Sequence, residues 1–241
     1  MSIFNNNRKS LINKKSISKY LLYGIGEITL VVIGILIAIN INNFKEKKAS
    51  ENKLKTYLKV YKQDLEIDTL IIGQALKYVG DRKQYFQMFL SDTVSQSSYA
   101  TNPQGYGITL SYFPFNLQQK GIGLLENYIN DTEIEQDSVI TDLLASHRIL
   151  ENFVNTSIDK ISSDIDNNML YLKENEPWVA DLLQGKLNDP ELMSYYLSKK
   201  YKARLAVHSG LIYGNLEPQL KNLLNFHKQT ISKLDERLKK K

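Results

Sequence analysis

Residues 20–44, "YLLYGIGEITLVVIGILIAININNF", decide how the rest of the chain is organised. Residues 21–41 would form a helix about 31 Å long at about 1.5 Å per residue, which matches a hydrocarbon core of about 30 Å. The apolar run is longer than the roughly 7–15 residues of a cleaved leader, and no A-x-A-like site follows it. The expectation is a retained signal anchor that crosses the membrane once.

The flanks set the charge pattern. The whole chain carries 31 Lys and Arg against 26 Asp and Glu. Arg8, Lys9, Lys14, Lys15 and Lys19 precede the span, and no acid accompanies them, so everything after residue 19 is neutral. A basic tail of 1–19 beside an apolar run suits anionic lipid headgroups. A nucleic-acid binder would carry its basic patch on the folded part, and none is visible there. Residues 44–62 hold seven lysines, so counting charges does not orient the span. A long domain translocates largely regardless of charge, and the short basic tail points to a cytoplasmic N-terminus with residues 44–241 outside. With no cysteine, the chain has no disulfides and no thiolate ligands.

One acid interrupts the apolar run. At about 100° per residue, Glu27, Val31, Gly34 and Ala38 fall within about 60° of arc, and Asn42 lies about 60° from Glu27 on the same side. Gly34-x-x-x-Ala38 is a small-xxx-small pair that lets a second helix approach closely, and a carboxyl at that depth can hydrogen-bond across such a contact. Glu27, Val31, Gly34, Ala38 and Asn42 are therefore the candidate interaction face. Snorkelling by a lone Glu27 is the plainer alternative.

The run from Tyr20 to Ile28, continuing through Val31–Ala38 to Ile41-Asn42-Asn43, resembles the signature of an uncharacterised family of small single-span membrane proteins of Gram-negative bacteria. Its pattern is YLLYxIGEIxLVVIGILIAxxINN. A looser echo is "FNLQQKGIGLLENYINDTEIEQDSVI", residues 115–140, which is similar to that family's Phe-x-x-Leu-x-x-x-Gly element leading into a helix. The resemblance implies an inner-membrane protein with an anchored helical domain, and it implies no reaction.

Beyond the span the chain reads as helices. Leu54, Leu58, Tyr61, Leu65, Asp68, Ile72, Ala75, Val79, Arg82, Phe86 and Phe89 step by four and three, which predicts one long amphipathic helix. Residues 91–114 lose the period and gather Ser, Gly, Pro and Asn, so they read as a long loop, with a short extended piece near Ile108, Leu110 and Tyr112. A second stripe runs through Ile140, Leu143, His147, Leu150, Val154, Ile158, Ile161, Ile165, Met169 and Leu172, starting near Thr132 with Glu135 at capping-box spacing. The last runs from Leu205 through His208, Ile212, Leu216, Leu220, Leu223, His227 and Ile231 to Leu234 and Leu238, with a kink or break expected among Gly210, Gly214 and Pro218. The predicted fold is all-α, a transmembrane helix followed by an antiparallel helical bundle with a long first helix.

No catalytic signature appears. His147, His208 and His227 sit on apolar stripes. His147 and His227 are expected at one level of the bundle, but no H-E-x-x-H or E-x-x-H spacing supports a metal site. The pairs Glu133 and Glu135, and Asp164 and Asp166, read as solvated surface. Tyr195 and Tyr196 read as bundle core, with a ring-binding cleft as the alternative. The chain is thus expected to be non-enzymatic and cofactor-free, with lipid and a membrane protein or a second copy as partners. Two other layouts fit: a proton-coupled accessory subunit using Glu27, similar to stator-type proteins, and a ligand-binding extracytoplasmic domain.

Overall fold

The computed structural model describes residues 14–111, 113–131, 138–187 and 189–239. The chain divides into two compact units, residues 1–55 and residues 56–241. The helix α1 (Lys14–Leu90) contributes to both. The second unit begins at Thr56.

In the first unit α1 carries the apolar run with its side chains outward. From Leu21 to Phe44, 15 large hydrophobic residues are exposed, among them Leu22 at 75% and Leu30 at 74%. No part of the most apolar stretch is buried within the protein. Thr29 Oγ1 donates to the Ile25 carbonyl at 2.7 Å, so its hydroxyl is satisfied within the helix.

The second unit is a bundle of four legs, built from α1 after residue 55, α3 (Lys120–Asp131), α4 (Ser138–Asn175) and α8 (Glu217–Lys239). The first leg buries Leu58, Tyr61, Leu65, Ile72, Ala75, Val79, Phe86 and Phe89, as its stripe predicts. The second leg descends beside it. Ser111 meets Arg82, Phe113 meets Tyr78, Gln118 meets Asp68, and Tyr128 meets Tyr57. Its upper part is a strap without regular structure, residues 113–119, and its lower part is α3.

The third leg, α4, ascends, and the last descends against it: Tyr171 meets Lys200, Arg204 meets Asn168, His208 meets Asp164, and His227 meets His147. Consecutive legs are therefore antiparallel. The α4 stripe is shifted by one position in places, so that Leu144, Glu151, Ser157 and Asn168 are buried where Leu143, Leu150, Ile158 and Met169 were expected. The proposed capping box at Thr132 and Glu135, with Glu133, lies outside the described residues.

Between α4 and α8 the chain forms α5 (Val179–Leu183), α6 (Pro190–Tyr196) and α7 (Lys199–Ser209). Asp189 caps α6 by accepting from the Glu191 N–H at 2.8 Å, with Pro190 at the first helical position. Ser198 caps α7 in the same way through the Tyr201 N–H at 3.1 Å. A turn at Gly185 takes φ = 77°, which suits glycine. Where a kink or break was expected among Gly210, Gly214 and Pro218, a π-helical segment, Gly210–Leu216, joins α7 to α8. Widening the turn keeps the chain helical where Pro218 lacks the N–H that an α-helix would bond to Gly214.

Residues 91–114, expected as a loop, are largely structured. They contain α2 (Gln96–Thr101) and a 3-10 turn (Pro103–Gly107), and they bury Tyr99, Tyr106, Ile108 and Thr109. No strand occurs among the described residues; of the extended piece expected near Ile108, Leu110 and Tyr112, Ile108 is turn and Leu110 bend, and Tyr112 lies outside the described residues. What holds this stretch is aromatic. Tyr99, Tyr106, Trp178, Tyr195, Tyr196 and Tyr201 pack with Phe86 and Phe89 as one cluster. Their hydroxyls satisfy backbone carbonyls: Tyr196 donates to Tyr106 at 2.8 Å, Tyr201 to Gly105 at 3.1 Å, and Tyr99 to Tyr196 at 3.3 Å. These bonds pair backbone carbonyls in the interior, that of Gly105 in addition to its bond from the Ile108 N–H.

Candidate functional site

The five sequence-assigned residues lie along α1 in the first unit. Glu27, Val31, Gly34, Ala38 and Asn42 are all exposed, and nothing lies within 4 Å of a Cβ placed at Gly34. Asn42 Nδ2 donates to Glu46 Oε1 at 2.7 Å, so its amide is engaged one turn along the same helix. The face therefore consists of an acid and two small residues among exposed aliphatic side chains.

The second unit buries a few of its titratable groups, among them Asp64, Asp68, His147, Glu151, His208 and His227. Where α3 meets α1, Gly121 presses against the first leg; a Cβ there would lie 2.3 Å from Tyr61 Cα and 2.6 Å from its nitrogen. Two α1 carboxylates one turn apart receive the start of this leg. Asp64 Oδ2 accepts from the Gly121 N–H at 2.5 Å, and Asp68 Oδ1 accepts from the Gln118 N–H at 2.9 Å. Negative charge there complements the positive end of the α3 dipole. Asp68 is fully buried and its Oδ2 has no partner. Burial, reinforced by Asp64 and Glu151 and opposed by the Gln118 N–H, pushes its pKa up to about 7.

Beside this joint Arg148 pairs with Glu126 at 2.7 Å and with Glu151 at 3.1 Å, and Glu126 is held below the usual carboxylate range by that guanidinium. Gln119 bonds to both Arg148 and Glu151. The descending leg is thus fastened to α1 on one side and to α4 on the other.

The histidines fall into two places. His147 and His227 meet at one level, as expected, and His147 Nδ1 lies 2.7 Å from the Tyr61 hydroxyl. Among the described residues no group of three or more His, Asp or Glu side chains could hold a metal ion. His208 lies higher, stacked on Phe86, with Nδ1 2.7 Å from Asp164 Oδ2. Asp164 also accepts from Asn168 at 3.0 Å, so it is an internal partner, unlike the exposed Asp166 and contrary to the solvated pair expected from the sequence. Burial lowers the His208 pKa, and the Asp164 carboxylate opposes that shift.

Tyr195 and Tyr196 belong to the aromatic cluster. A cleft lies lower, between α1, the strap, α4 and the π segment, and Arg82 contributes to its wall. Two signals pointed to the polar interior. Asp68 and Arg82 occupy stripe positions where an apolar residue belongs, and both turn out to bind the descending leg.

The model of a family of unknown function, DUF6090, matches residues 27–96, which is α1 from Glu27 onward and the beginning of α2. No curated protein and no solved structure matches the chain.

Proposed function

We propose that this chain is a single-pass, membrane-anchored, non-enzymatic interaction protein of the bacterial inner membrane, with its helical bundle in the periplasm. The observation that carries the reading is the run of 15 exposed large hydrophobic residues from Leu21 to Phe44 on one helix. A surface so apolar is stable against lipid or against other helices, and in water it would aggregate. The match of residues 27–96 to a family of unknown function is compatible with this reading.

The anchor does more than hold the bundle at the membrane. Its face of Glu27, Val31, Gly34, Ala38 and Asn42 packs on a second copy or on a partner's transmembrane helix, with Gly34 and Ala38 giving close approach and Glu27 a hydrogen bond. Purification in mild detergent tests this. Gly34→Leu is expected to lose the captured partner or self-association while the chain stays in the membrane fraction. Unchanged assembly would remove the packing role. Glu27→Gln keeps hydrogen bonding and removes titration, so it is expected to preserve assembly and phenotype. Intact assembly with lost phenotype would favour the proton-coupled alternative.

A further inference from the structure

Within one turn of α1 the exposed surface changes from aliphatic to cationic. Lys45, Lys47 and Lys48 follow Phe44, and all three are exposed. Residues 44–55 hold five lysines against Glu46 and Glu51, a net charge of +3. Two of the lysines share a side of the helix with the apolar residues that precede them. Ile37, Asn40, Ile41, Phe44, Lys45 and Lys48 line one shallow, open groove.

The helix itself does little to neutralise these two ammoniums. The residues three and four positions from Lys45 are Ile41, Asn42, Lys48 and Ala49, none of them acidic. Glu46 lies about 160° around the helix from Lys48 and accepts from Asn42 at 2.7 Å. Glu51 is three positions from Lys48, yet among the described residues the two form no ion pair.

Their place along the helix sets what they can meet. At about 1.5 Å per residue, Lys45 and Lys48 lie about 1.5 Å and 6 Å past Phe44, which is within a headgroup layer of about 5–7 Å bordering a hydrocarbon core that ends at Phe44. Side chains on a helix lean towards its N-terminus. At this end of the span that lean carries lysines back towards the bilayer, with the stem on apolar surface and the ammonium in the polar layer.

We infer that this side of α1 holds an anionic phospholipid, one whose headgroup is a phosphate diester without an amine. The phosphate sits between Lys45 and Lys48, and one acyl chain lies along Phe44, Ile41 and Ile37. A zwitterionic headgroup brings its own cation to the two ammoniums, so the charge selects the anionic class. The centre of this side is turned about 80° from that of the Glu27 face, which places the lipid beside a docked helix. The inference rests on the membrane reading of the first unit and holds for either orientation of the span.

The chain has no cysteine, so one introduced thiol carries a label at a chosen position. The full chain with Ile37→Cys, in the groove, or with Ile25→Cys, near the basic tail, is labelled with a fluorophore. It is reconstituted in equal parts of phosphatidylglycerol and phosphatidylcholine, with bromine on the acyl chains of one lipid or the other. At residue 37 brominated phosphatidylglycerol is expected to quench as though enriched about fivefold over phosphatidylcholine, and high salt should shrink that excess. Lys45→Gln combined with Lys48→Gln should bring the two lipids to parity at residue 37 and leave residue 25 unchanged. Equal quenching by both lipids in the parent chain, or an excess at residue 37 that survives the double substitution, would overturn the lipid site and leave the span standing. No quenching of either label by either lipid would overturn the membrane reading and the site with it.

Discussion

His147 and His227 meet edge to face in the bundle interior, with ring centroids 5.1 Å apart and planes at 65°. His147 Nε2 and both ring nitrogens of His227 have no hydrogen-bond partner. Burial lowers the pKa of His147 to about 4 and that of His227 to about 3, with Arg148 and His147 respectively adding to the effect. Both rings are therefore neutral in the folded protein at pH 5, where the unfolded chain binds protons on them.

That difference makes acid destabilising. Each histidine contributes stability that is complete above the unfolded value of 6.5 and is lost as pH falls below it towards the folded value. Between pH 8 and pH 5 the loss is roughly 2 kcal/mol per ring. Denaturant titrations at the two pH values should show His227→Leu losing roughly 2 kcal/mol less than the parent chain on acidification. An identical loss would mean that His227 is protonated in the fold.

Asp68 acts in the opposite direction. Its folded pKa of about 7 lies above the model value of 3.8, so the buried carboxyl favours folding at low pH, and this advantage disappears as pH rises from 3.8 through 7. Asp68→Asn retains an oxygen for the Gln118 N–H and removes the charge. It should stabilise the bundle by roughly 1–3 kcal/mol at pH 8 and by little at pH 4. The unfolding free energy measured across that range checks the sign.

Gly121 is fixed by contact rather than by conformation. A Cβ at this position meets the Tyr61 backbone at 2.3 Å, and a backbone cannot give way as a side chain can. Gly121→Ala should cost roughly 2–4 kcal/mol by separating α3 from α1, which also weakens the Asp64 cap. Gly123→Ala is the control, because nothing lies within 4 Å of its Cβ. Comparable melting of the two variants would contradict the close approach.

The aromatic cluster gives a local prediction. Tyr201 is buried and its hydroxyl is donated to the Gly105 carbonyl at 3.1 Å. Tyr201→Phe leaves that carbonyl only its 3.4 Å bond from the Ile108 N–H and should cost about 1 kcal/mol. Hydrogen exchange should then quicken first in residues 96–110, which α2 and the 3-10 turn occupy. A uniform change across α4 and α8 would show that this stretch is not held by the tyrosines.

The sequence made the periodic parts visible. The stripe from Leu58 to Phe89, the level shared by His147 and His227, and the long apolar run after Tyr20 follow from the sequence alone. The second leg was hidden because its contacts have no period: Gln118 reaches Asp68 across 50 positions, and Tyr201 reaches Gly105 across 96. Residues 91–114 gather Ser and Gly because their backbone turns sharply, yet Tyr99, Gly105, Tyr106, Ile108 and Thr109 among them are buried. Asp164 was misread for a related reason. Its partner His208 is 44 residues away, and helical spacing within α4 alone cannot reveal it. The candidate face on the span was legible as a pattern, since one helix and its 3.6-residue period are enough to define it.

We propose that the Glu27 side of the membrane-spanning helix meets another helix. A photocrosslinking amino acid placed in living membranes at Val31 or Ile41, both within about 40° of Glu27, can be compared with the same group at Val32 or Leu36 on the far side. Crosslinked species of higher mass from Val31 and Ile41, with none from Val32 and Leu36, are the predicted result. Equal crosslinking from all four positions, or none from any, would contradict it.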